Sequence, residues 1–312
     1  MRQRAIVHRW TLTDAPVLNG RTAIVTGATG GLGFEVARGL ADRGADTILT
    51  GRNGVKGARA VAAIRARHPS ARVRYESLDL GSLDAIAGFA ARWTGPLDIL
   101  VNNAGVMGLE IRQTTVDGFE RQIGVNYLAH FALTGRLLGS LNAPPGGGRV
   151  VNVASLAHRR AALRLDDLQS QRTYRPMAVY GQSKLAMLMF SLELHRRALA
   201  DGWALHAFAA HPGWARTDII SNGPGAGTSR IKGWLADFLF GLAAQSAVAG
   251  ALPILYAATA SEAQPGGYYG PDRLGETRGD PAPSAIYPQA MDAAAAARLW
   301  RLSEELTGVV FG

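Results

Sequence analysis

Tyr180 and Lys184 lie four residues apart in a segment, residues 178–185, that is compatible with a helix. Side chains at positions i and i+4 share one face of a helix, so a phenol would lie beside an ammonium. A neighbouring cation stabilises a phenolate and lowers the tyrosine pKa from its usual value of about 10. Such a tyrosine could exchange a proton with a bound substrate near neutral pH. The same spacing is typical of ordinary surface pairs, so it predicts chemistry only in combination with a second motif.

That second motif is a glycine-rich turn at residues 26–33, between an apolar strand-like run and a segment of helical periodicity. Such a strand–turn–helix unit directs free N–H groups and the positive end of a helix dipole towards an anion such as a pyrophosphate. Its spacing is Gly-x-x-x-Gly-x-Gly rather than the Gly-x-Gly-x-x-Gly of many dinucleotide folds, and an ordinary glycine-rich turn is the alternative. The residues predicted to contact a dinucleotide here are Gly27, Thr29, Gly30, Gly31, Leu32 and Gly33.

With both motifs in place, the chain resembles the short-chain dehydrogenase/reductases over roughly residues 20 to 220. It is most similar to the branch of retinol dehydrogenases and protochlorophyllide reductases. Traits of that branch are residues 180–186 followed by an apolar helix, and a Leu299-Trp300-x-x-Ser303-Glu304 ending. The motifs that carry the family resemblance, in the family's order, are Thr26-Gly27-x-x-x-Gly31-x-Gly33, Asn102-Asn103-Ala104-Gly105, Asn126, Ser155, Tyr180-x-x-x-Lys184 and Pro212-Gly213.

The resemblance implies a catalytic set of Asn126, Ser155, Tyr180 and Lys184. Tyr180 would be the general acid in ketone reduction and the base in alcohol oxidation. Lys184 would lower the pKa of Tyr180 and hydrogen-bond the nicotinamide ribose. Ser155 would donate a hydrogen bond to the carbonyl oxygen, and Asn126 would hold a water that links Lys184 to solvent. Ser155 precedes Tyr180 by 25 residues, about twice the family's usual separation, so a strand-end serine with local hydrogen bonds is its alternative. The insertion at residues 159–175 resembles the retinol dehydrogenase branch.

The end of the second predicted strand, Leu49-Thr50-Gly51-Arg52-Asn53, bears on the choice of cofactor. It lacks the carboxylate with which NAD-specific folds hold the ribose 2′-hydroxyl. Arg52 could instead pair with a 2′-phosphate, and a solvated arginine in a loop is its alternative. NADP(H) is therefore predicted and NAD(H) is less favoured, although the glycine turn lacks a basic residue. By resemblance, the other cofactor contacts are Asn53, Asp79, Leu80, Asn103, Ala104, Gly105, Tyr180, Lys184, Pro212, Gly213 and Thr217. A helix-capping threonine is the alternative for Thr217.

Residues beside the predicted catalytic set are expected to bind the substrate: Met107, Leu156, Ala157, His158 and Trp214. Trp214, together with Trp234, Phe238 and Phe240, suggests an apolar and bulky substrate, although these aromatics could equally pack on the core. No carboxylate is spaced in sequence to orient His158 or His211. The histidines and acids form no metal-binding pattern such as His-Glu-x-x-His, so no metal site is predicted.

Alternating strand-like and helical runs predict a single-domain α/β Rossmann fold, with a doubly wound seven-stranded parallel sheet and helices on both faces. Residues 1–20 are expected to be an N-terminal extension, residues 21–312 one NAD(P)-binding domain, and residues 218–240 a substrate lid. Strands are expected near 22–26, 46–50, 72–78, 97–101, 148–154, 204–210 and 267–269. Helices are expected near 31–43, 54–67, 82–93, 114–140, 174–200 and 243–260.

The composition of this chain of 312 residues and 33.0 kDa limits its chemistry, its location and its partners. There is no cysteine, which excludes disulfides and a thiol nucleophile. The basic N-terminus lacks the apolar core of a signal peptide, and no integral membrane segment is predicted, although residues 238–260 come near. We therefore expect a cytoplasmic protein. Of the 33 basic residues only Lys56, Lys184 and Lys232 are lysine, and the arginines behind the net charge of +9 are scattered. A phosphate-rich cofactor is a better partner for them than nucleic acid.

These patterns predict an NADP(H)-dependent oxidoreductase that interconverts a ketone or aldehyde and an alcohol on a mainly apolar small molecule. Two alternatives stay open. One is an enzyme of the same fold with different chemistry, such as an enoyl reductase, dehydratase or epimerase; the other is a dinucleotide-binding regulator without catalysis. The complete Asn-Ser-Tyr-Lys set, with no additional acid or base, favours carbonyl–alcohol exchange. Whether the protein is a monomer or a homo-oligomer is left open by the sequence.

Overall fold

The computed structural model describes residues 9–214 and 245–312, and within these ranges eight strands form one sheet. The strands are β1 (Thr22–Val25), β2 (Asp46–Gly51), β3 (Val73–Ser77), β4 (Ile99–Asn102), β5 (Arg149–Val153), β6 (His206–Ala210), β7 (Tyr268–Arg273) and β8 (Arg278–Pro283). Their order across the sheet is β3-β2-β1-β4-β5-β6-β7-β8. Neighbouring strands from β3 to β7 pair in parallel, whereas β8 pairs antiparallel with β7.

Helices cover both faces of this sheet, so the doubly wound prediction is confirmed. They are α1 (Gly31–Asp42), α2 (Gly54–Arg67), α3 (Leu83–Ala91), α4 (Arg121–Ile123), α5 (Ala129–Arg136), α6 (Leu138–Asn142), α7 (Pro176–Asp201), α8 (Ala247–Thr259) and α9 (Ala293–Thr307). A π-helical turn, Gly124–Leu128, joins α4 to α5. None of the helices within the described ranges combines the length and the apolarity needed to cross a bilayer. The predicted lid at 218–240, with Trp234, Phe238 and Phe240, lies outside the described residues.

The structure corrects two details of the predicted elements. The antiparallel edge strand β8 was not predicted, because its sequence Arg-Gly-Asp-Pro-Ala-Pro contains two prolines, which strand patterns disfavour but edge strands tolerate. The helix expected from residue 114 begins at Arg121 instead. Before it, Thr114 pairs with Glu120 in an isolated bridge around a turn in which Gly118 has φ +85°. The Glu120 carboxylate then caps the helix by accepting from the N–H groups of Gln122 and Ile123 at 3.0 and 2.8 Å.

Each face of the sheet has its own hydrophobic core. On one face, α3, α5, α6, α7 and α9 bury a cluster centred on aromatic side chains such as Phe131, Phe190 and Trp300. On the other face, α1, α2 and α8 bury a second cluster that includes Trp10, whose ring lies edge-on to Tyr256 at 5.4 Å between centroids. The described part of the N-terminal segment is thus packed on this second core. Burial on both faces is why the central strands read as almost continuous apolar runs.

The strand order determines where a ligand can bind. From the centre of the sheet, the chain adds β1, β2 and β3 towards one edge and then β4 to β8 towards the other edge. The loops that follow β1 and β4 therefore diverge, which opens a crevice at the carboxyl ends of the strands. The glycine turn follows β1, and Asn103-Ala104-Gly105 follows β4. Both predicted cofactor loops consequently border this crevice.

Candidate active site

A cavity of about 1070 Å³ occupies the crevice at the carboxyl ends of the strands. It brings together most of the residues predicted from the sequence. Those that line it are Gly27, Thr29, Gly30, Gly31, Leu32, Gly33, Arg52, Asp79, Leu80, Asn103, Ala104, Gly105, Met107, Ser155, Leu156, Ala157, Tyr180, Lys184, Pro212, Gly213 and Trp214. Asn53, Asn126 and His158 are not among the lining residues, and Thr217 lies outside the described residues.

The glycine turn forms one end of the cavity. Gly27 and Gly31 adopt left-handed conformations, with φ +64° and +53°, which glycine reaches without steric cost. A Cβ on Gly27 would lie 2.9 Å from the Ala104 Cα atom, so the loops after β1 and β4 can approach this closely only without a side chain. Helix α1 begins at Gly31 with Gly30 as its N-cap, and its first N–H groups have no partner within the helix. This backbone cradle fits a pyrophosphate.

Hydrogen bonds hold the two loops together. The Thr26 Oγ1 atom accepts from the N–H groups of Asn103 and Ala104, at 2.9 and 3.0 Å. The Asn103 Nδ2 atom donates to the Thr26 carbonyl at 2.8 Å. Thr26 itself is fully buried, so these bonds are shielded from water. The cradle therefore has its shape before any ligand binds.

Two cations lie beside the cradle, at the carboxyl end of β2. Arg52 follows the strand, and Lys56 reaches the same cavity from the first turn of α2. Asn53 does not line the cavity; its Oδ1 atom caps α2 by accepting from the Lys56 N–H at 3.0 Å. Within the described ranges neither Arg52 nor Lys56 forms an ion pair with a carboxylate, so both can bind a phosphate. Lys56 was missed from the sequence, although its position four residues after Arg52 could have indicated it.

Tyr180 and Lys184 lie on the face of α7 that points to the sheet. They are 8% and 4% exposed, and both line the cavity. Burial raises the pKa of Tyr180, while a hydrogen bond with Ser155 acts to lower it. The lowering that was expected from Lys184 is therefore not the effect that dominates here. A phenol with a raised pKa is protonated at neutral pH and is ready to donate its proton.

The Lys184 ammonium is directed at the backbone rather than at the phenol. Its Nζ atom donates to the Val153 carbonyl at 2.8 Å and lies 6.0 Å from the centroid of the Tyr180 ring. Burial lowers the pKa of Lys184 from 10.5 to about 8. The side chain is consequently a cation at neutral pH that loses its charge in mildly alkaline solution.

Ser155 follows β5 and begins a 3₁₀ turn, Leu156–Arg160. Its Oγ atom accepts from the Ala157 N–H at 3.2 Å and is also the hydrogen-bond partner of Tyr180. The insertion that separates Ser155 from Tyr180 folds back onto α7. There the Gln182 Oε1 atom accepts from the Arg164 N–H at 2.9 Å, and Gln182 Nε2 donates to the Leu168 carbonyl at 3.1 Å. The long spacing in sequence therefore leaves Ser155 and Tyr180 adjacent in space.

Asn126 lies in the π-helical turn and is fully buried. Its Oδ1 atom accepts from the Val106 N–H at 2.7 Å. Its Nδ2 atom donates to the Val106 carbonyl and the Ser183 Oγ atom, both at 2.9 Å. These bonds engage both polar atoms of the side chain, so its evident role is to fix the loop after β4 against α7. A Cβ on Gly105 would lie 3.1 Å from Asn126 Oδ1 and 3.6 Å from Lys184 Nζ, which places Asn126 near Lys184, although Asn126 does not line the cavity.

His158 lies behind the cavity wall. It is fully buried, and its ring packs edge-on against Tyr268 and Tyr287, with centroids 5.4 and 5.8 Å away. Its Nδ1 atom donates to the Ser155 carbonyl at 2.7 Å. The substrate contact predicted for His158 is therefore replaced by a bond that supports the Ser155 turn.

The expectation that no carboxylate orients His211 is wrong. Glu276, 65 residues later, places its Oε2 atom 3.1 Å from His211 Nε2. Burial opposes ionisation of Glu276, but hydrogen bonds from His211 and the Ala285 N–H, together with the charge of Arg159, lower its pKa to about 2. Burial lowers the pKa of His211. The pair thus consists of a carboxylate and a neutral imidazole.

Comparisons with known proteins identify the family of the chain. The sequence profile of the short chain dehydrogenase family matches residues 21–223. Polyprenol dehydrogenase from Mus musculus is 40% identical over 304 residues, which cover 94% of this chain and 85% of the relative. Retinol dehydrogenase 13 from Homo sapiens is 40% identical over 295 residues, which cover 93% and 85%.

Solved structures give the same result. The crystal structure of an uncharacterised protein from Mycobacterium paratuberculosis is 39% identical, with a TM-score of 0.79, and the match covers 98% of this chain and 100% of that one. A blue fluorescent protein from a metagenomic library, in complex with NADPH, is 25% identical with a TM-score of 0.60, over 81% of this chain and 96% of that one. The chain therefore belongs to the short-chain dehydrogenase/reductase family, in the branch of the retinol dehydrogenases.

Proposed function

We propose that this protein is an NADP(H)-dependent oxidoreductase that interconverts an apolar aldehyde or ketone and the corresponding alcohol, with Tyr180 as its general acid/base. The observation that carries the proposal is the convergence of Ser155, Tyr180 and Lys184 on the cavity that also contains the phosphate cradle. Dehydratase or epimerase chemistry would need an additional acid or base beside the substrate. The only carboxylate that lines the described part of the cavity is Asp79, which follows β3 and accepts from the Gly81 N–H at 2.9 Å.

Each catalytic side chain has a distinct task in this proposal. Tyr180, which burial keeps protonated, donates its proton to the substrate oxygen during reduction. Ser155 polarises the same oxygen and, through its hydrogen bond with Tyr180, orients the phenol. Lys184, whose Nζ atom donates to the Val153 carbonyl, supplies a positive charge at the cavity wall and binds the ribose of the cofactor. When bound, the nicotinamide cofactor supplies or accepts the hydride.

Arg52 and Lys56 support NADP(H) as the cofactor. Both line the cavity at the carboxyl end of β2, where a dinucleotide fold holds the adenosine ribose. Two cations with no carboxylate partner among the described residues suit a 2′-phosphate, whereas a 2′-hydroxyl would leave them without a counter-charge. The relative that was solved with NADPH points the same way.

The substrate end of the cavity supports an apolar substrate. Met107, Leu109, Leu156, Met177 and Trp214 line it, and Met177 and Trp214 are about half exposed. The named relatives are a polyprenol dehydrogenase and a retinol dehydrogenase, whose named substrates are apolar isoprenoid alcohols. We therefore propose an isoprenoid or similarly lipophilic alcohol–aldehyde pair as the substrate class. Cytoplasmic location stays a prediction.

The test compares wild type with Tyr180→Phe in the NADPH-dependent reduction of retinal, a long-chain isoprenal and a short carboxylated aldehyde. Wild type should reduce the two lipophilic aldehydes in preference to the charged one. Loss of a positioned proton donor typically lowers the rate by about 10²–10⁴-fold, and we expect this loss in kcat for Tyr180→Phe. Removal of one oxygen should leave the fold and NADPH binding intact.

Tyr256→Phe is the matched control, because Tyr256 packs against Trp10 on the other face of the sheet and does not line the cavity. Its kcat should equal that of wild type. A Tyr180→Phe variant that kept more than about a tenth of the wild-type kcat would show that Tyr180 is not the acid. A preference for the charged aldehyde would contradict the substrate class alone.

A further inference from the structure

Glu276 lies at the tip of the β7–β8 hairpin, where three successive residues are left-handed. Leu274, Gly275 and Glu276 have φ values of +49°, +66° and +67°. Non-glycine residues adopt this conformation at a cost in free energy. Glycine would fit position 276 without that cost. Leu274 adopts the same conformation with a side chain that is 71% exposed, so a role for Glu276 has to be argued from the contacts of its side chain rather than from its backbone.

The carboxylate of Glu276 forms bonds to three different segments. Its Oε2 atom lies 2.8 Å from Arg159 Nη2 and 3.1 Å from His211 Nε2, and its Oε1 atom accepts from the Ala285 N–H at 3.2 Å. Arg159 also donates from Nη1 to the Gly275 carbonyl at 3.0 Å. The side chains of Arg159 and Glu276 are about four-fifths buried, at 22% and 21% exposure. We call Glu276, Arg159 and His211 the Glu276 network.

His211 is fixed in one tautomer within this network. Its Nδ1 atom accepts from the Gly213 N–H at 3.1 Å, so the proton of the neutral ring belongs on Nε2. Nε2 then faces Glu276 Oε2 and the Ser284 Oγ atom, which lies 3.0 Å away. The imidazole is completely buried. Through it, the carboxylate is connected to the Pro212-Gly213 turn.

Three walls of the cavity meet at the Glu276 network. Arg159 belongs to the 3₁₀ turn that begins at Ser155, Gly213 to the turn after β6, and Gly275 to the hairpin tip; all three line the cavity. The contact between the last two walls is tight, since a Cβ on Gly213 would collide with the Thr277 carbonyl. The Trp214 N–H donates to that same carbonyl at 2.8 Å.

We propose that Glu276 is a positioning residue for the carbonyl–alcohol reaction proposed above: it holds the Ser155 turn, the Pro212-Gly213 turn and the hairpin tip at fixed separations around the substrate. This inference rests on the proposed function for its kinetic part only. Glu276 does not touch the reacting atoms. It acts through Arg159 and His211, in the way that supporting residues fix the geometry of a site.

The experiment compares Glu276→Gln and Glu276→Gly with the matched control Leu274→Gly. Leu274 shares the hairpin tip and the left-handed backbone, but its side chain is 71% exposed and does not line the cavity. Loss of a charge-assisted bond that positions the site should raise KM for the aldehyde about tenfold in both Glu276 variants. The dissociation constant for NADPH should change less than KM for the aldehyde, because the glycine turn, Arg52 and Lys56 lie outside the network and only the Pro212-Gly213 turn is shared with it. Leu274→Gly should match wild type.

Hydrogen exchange measured by mass spectrometry gives a readout that does not depend on activity. In both Glu276 variants, amides in residues 155–160, 211–214 and 274–285 should exchange faster, and in Leu274→Gly they should not. If the protein lacked the proposed activity, this pattern would still establish the connection between the three walls. If Glu276→Gly behaved like Leu274→Gly in both KM and exchange, Glu276 would be a turn residue and the proposal would be wrong. Should Glu276→Gly fail to fold, Glu276→Gln with unchanged KM and exchange would overturn it equally.

Discussion

Lys184 carries a positive charge although its side chain is almost completely buried. Because its folded pKa is about 8, against 10.5 in the unfolded chain, the folded state binds fewer protons between these two values. Its contribution to stability therefore increases as pH rises through that window, and below pH 8 the buried charge costs the fold about 3 kcal/mol. A residue retained at such a cost is expected to act in binding or catalysis.

The same pKa predicts how activity depends on pH. As pH rises past about 8, Lys184 becomes neutral and the site loses the charge that binds the cofactor ribose in our proposal. We therefore expect kcat/KM for NADPH to fall on the alkaline side with an apparent pKa near 8, since kcat/KM reports groups of the free enzyme. Because the pKa of Tyr180 is raised, ionisation of Tyr180 should not lower kcat/KM below pH 10. A profile that stays flat to pH 9.5 would contradict this role of Lys184.

At the scale of residues, sequence reasoning found the groups that belong to short, ordered motifs. Tyr180, Lys184 and the glycine turn are recognised because each motif fixes its own local geometry. Glu276 was missed, since the bonds that join it to His211 and Arg159 depend on how distant segments of the sheet meet. His158 was assigned to the substrate for the opposite reason: its neighbours in sequence line the cavity, but its own ring is turned into the core.

At the scale of elements, α9 supports α7, the helix that carries Tyr180 and Lys184. Trp300 is 1% exposed, and its ring lies 5.1 Å from Phe131, 5.7 Å from Phe190 and 4.5 Å from Phe311 between centroids. The guanidinium of Arg197, on α7, lies 4.3 Å from the Trp300 ring centroid. Helix α9 thereby closes the core behind α7.

Trp300→Ala should therefore be strongly destabilising. Removal of a buried tryptophan leaves a cavity among the three phenylalanines, for which we expect a loss of about 3–5 kcal/mol in the free energy of unfolding. Urea denaturation followed by circular dichroism would measure it. Val310→Ala is the control, because Val310 is 72% exposed, and it should change the free energy of unfolding by less than about 0.5 kcal/mol. Equal stabilities for the two variants would mean that α9 is not part of the core.

Elements with clear periodicity, such as α1, α2 and α7, were predicted within a few residues. Helix α9 and strand β8 were not assigned, although the Leu299-Trp300 motif was noticed. Strand β8 lacks strand-forming residues and exists because β7 offers it an edge to pair with. The start of α4 depends on the buried Glu120 carboxylate, which replaces the expected helical turns by a cap. Both features are decided by tertiary contacts.

At the scale of the whole molecule, the cofactor cavity joins loops from both halves of the sheet. A ligand that binds only the folded state stabilises it by about 2.7 kcal/mol when present at a hundred times its dissociation constant. NADPH should therefore raise the melting temperature by about 5 °C. NADH at the same concentration should raise it less, because Arg52 and Lys56 would find no 2′-phosphate.

Arg52→Ala and Lys56→Met test that difference. Each charge-assisted bond to a phosphate contributes about 1.5–3 kcal/mol, so the double variant should lose most of the NADPH shift while its NADH shift is unchanged. An acidic replacement at Gly51 is a poorer test, because a Cβ there would lie 3.0 Å from Thr29 Cγ2. If NADH raised the melting temperature of wild type as much as NADPH, the assignment of NADP(H) would be wrong, and the proposed reaction would still stand.

Because lysine is scarce in this chain, most of its side-chain amines lie in the cavity. Lys56 and Lys184 both line it, and the third lysine, Lys232, lies outside the described residues. Reagents that acylate amines therefore find two of the three side-chain targets inside one cavity, and the lowered pKa of Lys184 makes that amine nucleophilic at mildly alkaline pH. Coupling the enzyme to a resin or a dye through its amines would thus tend to obstruct its own cavity. Attachment through carboxylates, or through a cysteine introduced into this cysteine-free chain, would leave the cavity open.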